Sequence, residues 1–271
     1  MTIKSSGNPL AFSEIETEFG ANGTRSLGSY RITQSVGTLS NLPLDTGIPS
    51  SGQIKFSDFY GKQLNIVVDC HSGGREDRIT AKNDKWNNNN LTVIGGFRSK
   101  KEGGSKIYIN VNKKFCSDKN NVNNCALKTG SWDSTATVQV DLGSNAKVFG
   151  AGGDGGNGAN GINNSGSPGG SGTSGLGIDS NNVTVNVASG AIIRAGFGGG
   201  GGGGNNANQA YGASGGSGAN LGGNAGGGGN SQTGGGAAGG NGAAIRRVSG
   251  FTVNINNSGS ITGSTSATGV S

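Results

Sequence analysis

Short runs in which apolar and polar residues alternate are the clearest pattern in this chain. Four of them lie between residues 64 and 142, are rich in β-branched residues and are separated by asparagine and glycine. Alternation with a period of two, bounded by turn residues, is typical of strands with one buried face. The pattern therefore predicts strands at Leu64–Asp69, Leu91–Ile94, Lys106–Val111 and Thr137–Leu142. They indicate a small β-sandwich or β-roll in the middle of the chain, where we place a β-rich domain at residues 65–135; the last strand also opens the region that follows.

A helical pattern occurs only near the start of the chain. Ile15 and Phe19 are four residues apart, Ser13 and Glu16 have the spacing of a capping box, and Gly20 can end a helix. The segment Phe56–Gly61 repeats this arrangement of aromatic, serine, acid and glycine. Two short helices bury too little surface for firm stability alone. We therefore predict that residues 1–64 are a small docking module that folds against a partner or against copies of itself.

A third pattern is written three times. Thr137–Val140, Thr184–Val187 and Thr252–Ile255 each place a threonine, an apolar, a polar and an apolar residue in order. A glycine and a second short segment ending in glycine follow each time. This predicts three copies of one β-hairpin, stacked so that each unit buries its neighbour. The first two copies lead directly into glycine-rich insertions.

Composition changes most sharply between Gly150 and Gly242, which holds most of the 58 glycines. A chain without side chains can adopt an extended helix of three residues per turn, whose backbone groups pair only with neighbouring helices. We interpret residues 136–271 as a polyglycine-II helix bundle framed by the repeated hairpins; a disordered tether is the alternative. The predicted fold class is thus mainly β with little helix.

Charge and chemistry restrict the function. The net charge is +6, with the basic excess in residues 65–150, where it could face an acidic surface or simply water. No nucleic-acid recognition pattern accompanies it. The three cysteines and the single histidine fit neither a disulfide framework nor a zinc motif. Matches to the glycine motif of nucleotide-binding sites are inevitable at this glycine content, so they do not indicate such a site. The sequence also does not identify a pair of carboxylates of the kind that glycosidases use. We therefore predict that the chain is not an enzyme and that it has no catalytic, cofactor or metal site.

The start of the chain shows no apolar signal region, and no run of about 18 apolar residues occurs. We expect synthesis in the cytoplasm, no insertion into a membrane, and departure from the cell only as part of a particle.

Two parts of the chain resemble proteins of tailed bacteriophages. The segment from Phe12–Ile15 to Ser57–Gly61 is similar to the start of tail and baseplate structural proteins, particularly those of cyanobacterial myoviruses. The glycine-rich pattern from Val138 to Gly263 resembles the tail-fibre-tip adhesins of T-even-type phages, whose distal loops contact outer-membrane proteins. The resemblance implies a virion tail protein that binds the host surface, either an outer-membrane protein or a glycan. An architectural tail or baseplate spacer is the alternative, and an antifreeze-type protein is a third.

The resemblance also suggests which residues make these contacts. The large side chains among the glycines are the receptor-binding candidates: Phe197, Asn205, Asn206, Asn208, Gln209, Tyr211, Leu221 and Asn224. Aromatic and asparagine side chains combine rigid contact area with adaptable hydrogen bonds. Attachment to other tail or baseplate proteins is assigned to the apolar residues of the first module: Phe12, Ile15, Phe19, Phe56, Phe59 and Tyr60. The sequence leaves open a monomer or a homotrimer.

Overall fold

The computed structural model describes the chain in segments, namely residues 3–19, 26–31, 33–36, 39–43, 48–49, 51–63, 66–69, 92–93, 106–117, 122–132, 134–160, 164–203 and 235–270. Within them, the α-helix α1 covers Phe12–Phe19, and two 3-10 helices cover Leu27–Arg31 and Phe56–Phe59. The strands β1 to β16 are, in order, Thr33–Val36, Leu39–Pro43, Ile66–Asp69, Thr92–Val93, Lys106–Val111, Lys114–Cys116, Cys125–Lys128, Thr137–Leu142, Lys147–Phe149, Ser174–Ile178, Val183–Val187, Ile192–Arg194, Ile245–Arg247, Val253–Asn257, Ser260–Thr262 and Ala267–Thr268.

From residue 106 onward the strands come in sets of three, and each set makes one turn of a coil. The first strands of the four turns pair in parallel as one sheet, the second strands as another, and the third strands as a third. Two further strands extend the first sheet to the order β14-β11-β8-β5-β3-β4, in which only β4 is antiparallel. The chain is therefore a three-sided coil of parallel strands, with a separate antiparallel hairpin formed by β1 and β2.

The predicted fold class is wrong. The middle of the chain is neither a sandwich nor a roll, because β5 lies in one parallel sheet with β8, β11 and β14. The C-terminal part is not a polyglycine-II helix bundle framed by β-hairpins, because three parallel sheets organise it and the glycine-rich segments are insertions in them. The division into three domains stays a prediction, although β5 and β8 pair across the boundary placed after residue 135.

The predicted hairpins fail because the chain turns a corner where a tight turn was expected. After β8, the N–H of Gly143 donates to the carbonyl of Val111 on the preceding turn, 2.8 Å away. After β11, Ala188 donates in the same way to Leu142 at 2.9 Å. Each corner is therefore tied to the neighbouring turn, and the strand that follows belongs to a different sheet.

The repeats do stack, but their register differs from the sequence alignment. Val138 lies opposite Val183, which lies opposite Val253. Thr184 is therefore opposite Gln139 and not opposite Thr137, a displacement of two residues. Because side chains on a strand alternate between faces with a period of two, this displacement keeps every apolar residue on the inner face.

Apolar ladders from the three sheets meet inside the coil. In the first sheet, Ile109, Val140, Val185 and Ile255 lie side by side. The second sheet contributes Phe115, Val148, Ile193 and Ile261, and the third contributes Leu127, Leu176 and Ile245. All these residues belong to one cluster or pack against it. Burial of each such side chain contributes roughly 1.5–3 kcal/mol, so a narrow core suffices for a chain that is only 31% hydrophobic.

The N-terminal module has its own aromatic core. Phe19, Tyr30 and Phe59 are fully buried, with ring centroids 6.0 Å apart in each pair. The predicted helix at residues 12–19 is confirmed, but its cap is not the predicted one. The Glu14 carboxylate accepts from the Ala11 N–H at 2.7 Å, two residues before the expected Ser13 and Glu16. The Asp58 carboxylate accepts in the same way from the Lys55 N–H at the start of the second 3-10 helix.

Candidate functional site

The glycine-rich insertions leave the coil at one corner. In every turn this corner lies between the second and the third strand. In the second and third turns, residues 150–173 and 195–244 separate these two strands in the sequence. Four extended segments result, residues 150–160, 164–173, 195–203 and 235–244, and each joins a strand at one end. We call these four segments the glycine layer.

Hydrogen bonds connect the four segments at every third residue. Gly150, Gly153 and Gly156 donate to the carbonyls of Arg194, Phe197 and Gly200, at 2.7–2.8 Å. The other contacts of the layer repeat the interval, for example Gly196, Gly199 and Gly202 donating to Thr173, Gly170 and Ser167. The 164–173 segment bonds to the other three, and so does the 195–203 segment. Backbone groups that would otherwise face water are thus satisfied between segments.

The segments approach so closely that only glycine fits at the contact positions. A Cβ added to Gly201 would lie 1.7 Å from the Gly236 carbonyl oxygen, and one added to Gly199 would lie 1.9 Å from that of Asp154. The same conflict recurs at every third residue of three segments, at Gly150, Gly153, Gly156, Gly166, Gly169, Gly172, Gly236, Gly239 and Gly242. In the 195–203 segment it falls on two residues of every three, at Gly196, Gly198, Gly199, Gly201 and Gly202. This period of three was present in the sequence, and sequence reasoning missed it.

The described residues next in sequence to the predicted receptor-binding segment lie at the far end of the layer. Residues 203 and 235, which flank residues 204–234 in sequence, both lie at the end away from the sheets, since Gly236 donates to the Gly202 carbonyl. Seven of the eight receptor-binding candidates, from Asn205 to Asn224, lie outside the described residues. Phe197 is described: its side chain is half-buried, and its carbonyl accepts from Gly153 at 2.8 Å.

Buried polar groups anchor the near end of the layer. The Ser174 hydroxyl donates to the Val122 carbonyl and accepts from the Ala243 N–H and from Arg246 Nε, at 2.9–3.0 Å. Arg246, only 8% exposed, also donates to Asn123 and to the Thr268 carbonyl. One guanidinium thus joins its own turn of the coil to the other three, where two glycine segments meet the third sheet.

Cys125 lies close to this anchor. Burial raises the pKa of the Cys125 thiol to about 12, against the lowering effect of the Lys128 and Arg246 charges. Burial also raises the pKa of the Asp179 carboxyl, although the Thr129 hydroxyl donates to it at 2.7 Å. A protonated, buried thiol is a weak nucleophile.

The residues predicted for virion docking divide by exposure. Ile15, Phe19 and Phe59 are fully buried and hold the module together, so they cannot touch another protein directly. Phe56 is 41% exposed, and the half-buried Phe12 lies edge-on to it with ring centroids 6.1 Å apart. The half-buried Tyr60 donates its hydroxyl to the Asn8 carbonyl at 2.6 Å. Phe56, Phe12 and Tyr60 are therefore the docking candidates whose side chains a partner can reach.

The outer face of the first sheet carries a row of polar side chains that sequence reasoning did not single out. Asn256 donates to Asn186 and Asn186 donates to Asp141, each at 2.7 Å. Gln139 donates to the second oxygen of Asp141 at 2.8 Å. Next to this row, a groove of about 450 Å³ lies over the first residues of the strands. Its described lining combines hydroxyl and amide side chains with the apolar groups of Ile107, Val138 and Tyr108, and Lys106 is the charged residue among them.

Among the described residues, no group of three or more His, Cys, Asp or Glu side chains could hold a metal ion. In the same part of the chain, none of the helices has the length and apolarity that crossing a bilayer demands. Comparison with known protein families, with characterised proteins and with solved structures finds no match to this chain.

Proposed function

We propose that this chain is a virion tail protein of a tailed bacteriophage that binds the host cell surface through residues 204–234. The observation that carries the proposal is the glycine layer, whose hydrogen bonds hold the residues on either side of this segment, 203 and 235, at the end away from the coil. Recognition residues are commonly placed on loops that a rigid scaffold positions. The resemblance of this region to tail-fibre-tip adhesins supports the same role.

The composition of the 204–234 segment supports recognition of a surface. It combines Tyr211 and Leu221 with several asparagines among small residues. Such side chains give contact area at low entropic cost and adaptable hydrogen bonds. The half-buried Phe197 lies at the base of the same layer. The receptor in this proposal is an outer-membrane protein or a surface glycan.

The N-terminal module supplies the attachment to the particle in this proposal. Its reachable aromatic surface includes Phe56 and Phe12, whose rings lie edge-on to one another. We expect Phe56→Ala to leave the module folded and to reduce incorporation into virions. Phe59→Ala removes a fully buried ring and should instead unfold the module, at a cost of roughly 3–5 kcal/mol. Normal incorporation of the Phe56 variant would remove this surface from the attachment site.

Adsorption competition tests the role of the chain. Purified protein added to host cells should reduce virion adsorption, and Tyr211→Ala should weaken this competition while particles still assemble. The alternative is an architectural spacer in which the layer only sets a distance. A spacer would leave adsorption unchanged at any protein concentration, and that result would contradict the proposal.

A further inference from the structure

The last turn of the coil ends in strands that have a partner on one side only. In the described part of the chain, β14, β15 and β16 are each the outermost strand of a sheet. Val253 and Ile255 of β14 are half-buried against the core. Val183 and Val185, which lie opposite them on the preceding turn, are fully buried. The described residues therefore leave the apolar core of the coil partly uncovered at this end.

The backbone of β14 directs hydrogen-bonding groups to this open edge. The Ser258 N–H, directly after the strand, donates to the Val187 carbonyl of β11 at 2.8 Å. Successive residues of a strand direct their backbone groups to opposite sides. The N–H and C=O groups of Val253, Ile255 and Asn257 therefore point away from β11. A row of unpaired groups of this kind is a template for another strand.

The last turn also lacks the features that keep a sheet edge from pairing. Natural proteins protect edges with lysine, proline or inward-pointing charges. Residues 248–271 contain no charged residue and no proline. The opposite end of the coil differs, because β3 covers the edge of β5 and the edge strand β6 carries Lys114. The uncharged edge of β14 thus favours an uncharged strand as its partner, and head-to-tail stacking of copies would bring it to the protected end.

The outer face of β14 carries two exposed asparagines that complement each other. Asn254 continues the row of Gln139 and Thr184. Asn256 lies opposite Asn186 and donates its amide N–H to it at 2.7 Å, which leaves its own oxygen as an acceptor. Among the described residues, the Asn254 amide has no hydrogen-bond partner. A donor and an acceptor two positions apart are brought face to face when a strand pairs antiparallel with itself.

We propose that β14 pairs antiparallel with β14 of a second copy, so that two coils meet end to end about a two-fold axis at Ile255. This register pairs all five residues of the strand. Ile255 meets Ile255 of the second copy and Val253 meets Asn257, with about six backbone hydrogen bonds across the axis. Asn254 donates to the available oxygen of Asn256, and the symmetry repeats this bond.

The proposal goes beyond the proposed tail role, because it concerns the free protein. It uses neither residues 204–234 nor the N-terminal module.

Sedimentation equilibrium of the full chain tests the association. We expect a monomer–dimer equilibrium. Asn254→Ala should weaken the dimer about 25-fold, which is fivefold for each of the two hydrogen bonds lost. Asn145→Ala is the matched control, since Asn145 is an exposed asparagine at the corner between β8 and β9. It should associate as the unaltered protein does, and circular dichroism should show that all variants are folded.

Disulfide cross-linking tests the register. Residues directly opposite in an antiparallel pair have Cα atoms about 4.5–5.5 Å apart, which suits a disulfide. An oxidised mixture of Asn254→Cys and Asn256→Cys should therefore form a linked dimer, and neither variant should do so alone. The unaltered protein, which keeps its own cysteines, is the blank.

Four results would overturn the proposal: a monomer at every concentration, a trimer, equal association of Asn254→Ala and Asn145→Ala, or absence of the mixed disulfide. Self-linking of Asn254→Cys would overturn the register. None of these results bears on adsorption competition, so the two proposals fail separately.

Discussion

Replacing Gly201 with alanine tests whether close backbone contact stabilises the glycine layer. The added Cβ would lie 1.7 Å from the Gly236 carbonyl oxygen, and real Cβ contacts are not shorter than about 3.0 Å. One segment must therefore retreat by about 1.3 Å. The bond from the Gly236 N–H to the Gly202 carbonyl is 2.7 Å long, and such a shift would break it.

The expected cost follows from two effects. Overpacking of a tightly packed contact costs about 1–3 kcal/mol, and one lost backbone hydrogen bond costs about 1 kcal/mol. We therefore expect Gly201→Ala to destabilise the contact between residues 196–202 and 236–242 by about 3 kcal/mol. Amide hydrogen exchange reports local opening directly. In these two stretches it should become faster by about two orders of magnitude, while the strands of the coil keep their protection.

Gly240→Ala is the matched control in the same layer. A Cβ at Gly240 would meet its nearest atom, the Ser171 hydroxyl oxygen, at 3.8 Å, which is ordinary contact. Alanine also lowers the entropy of the unfolded chain, so this change should be neutral or should stabilise by about 0.4–1 kcal/mol. If Gly201→Ala and Gly240→Ala show equal exchange, close glycine contact is not what holds the layer together.

Three further predictions concern the buried groups near the third sheet. Burial raises the pKa of the folded Cys125 thiol to about 12, whereas the thiol of an unfolded chain has a pKa near 8.5. The contribution of this thiol to stability is therefore complete below pH 8.5 and is lost as the pH rises toward 12. The free energy of unfolding in urea should therefore fall more steeply above pH 9 than in Cys125→Ala, by up to about 1.4 kcal/mol per pH unit. Burial raises the pKa of Asp179, so its charge opposes folding at neutral pH and not in acid. Asp179→Asn should therefore raise the melting temperature at pH 7, with an advantage that disappears toward pH 4. Arg246→Met removes charged hydrogen bonds to three turns and should lower the unfolding free energy in urea by roughly 3 kcal/mol, with Arg246→Lys restoring part of it.

Local structure could be predicted from the sequence, because alternation reports which residues form a strand. Lys106–Val111 and Thr137–Leu142 have the predicted bounds, and so does the helix as far as Phe19. Strand partners could not be predicted, because alternation carries no information on them. Val138 pairs with Val183, across an insertion that the sequence reads as a separate unit. A glycine between two short strands therefore looked like a hairpin turn when it marked a corner.

The candidate groove could not be found in the sequence for a related reason. Aligning Thr137 with Thr184 places them in one row, whereas the register sets Thr184 beside Gln139. The row of Gln139, Thr184 and Asn254 exists only once this displacement is known. The predicted docking residues show a similar limit, because the sequence marks Phe56 and Phe59 alike. Only the packing separates the exposed ring from the buried one.

The coil and the glycine layer depend on one another through a shared register. Strand β12 ends at Arg194, whose carbonyl accepts from Gly150, and the same offset of 44 residues continues in the bonds from Gly153 to Phe197 and from Gly156 to Gly200. The layer thus begins where the ladder between β9 and β12 ends, and it takes its alignment from that ladder. Glycine at every third residue then permits the segments to approach. The coil sets which residues meet, and glycine determines whether they can.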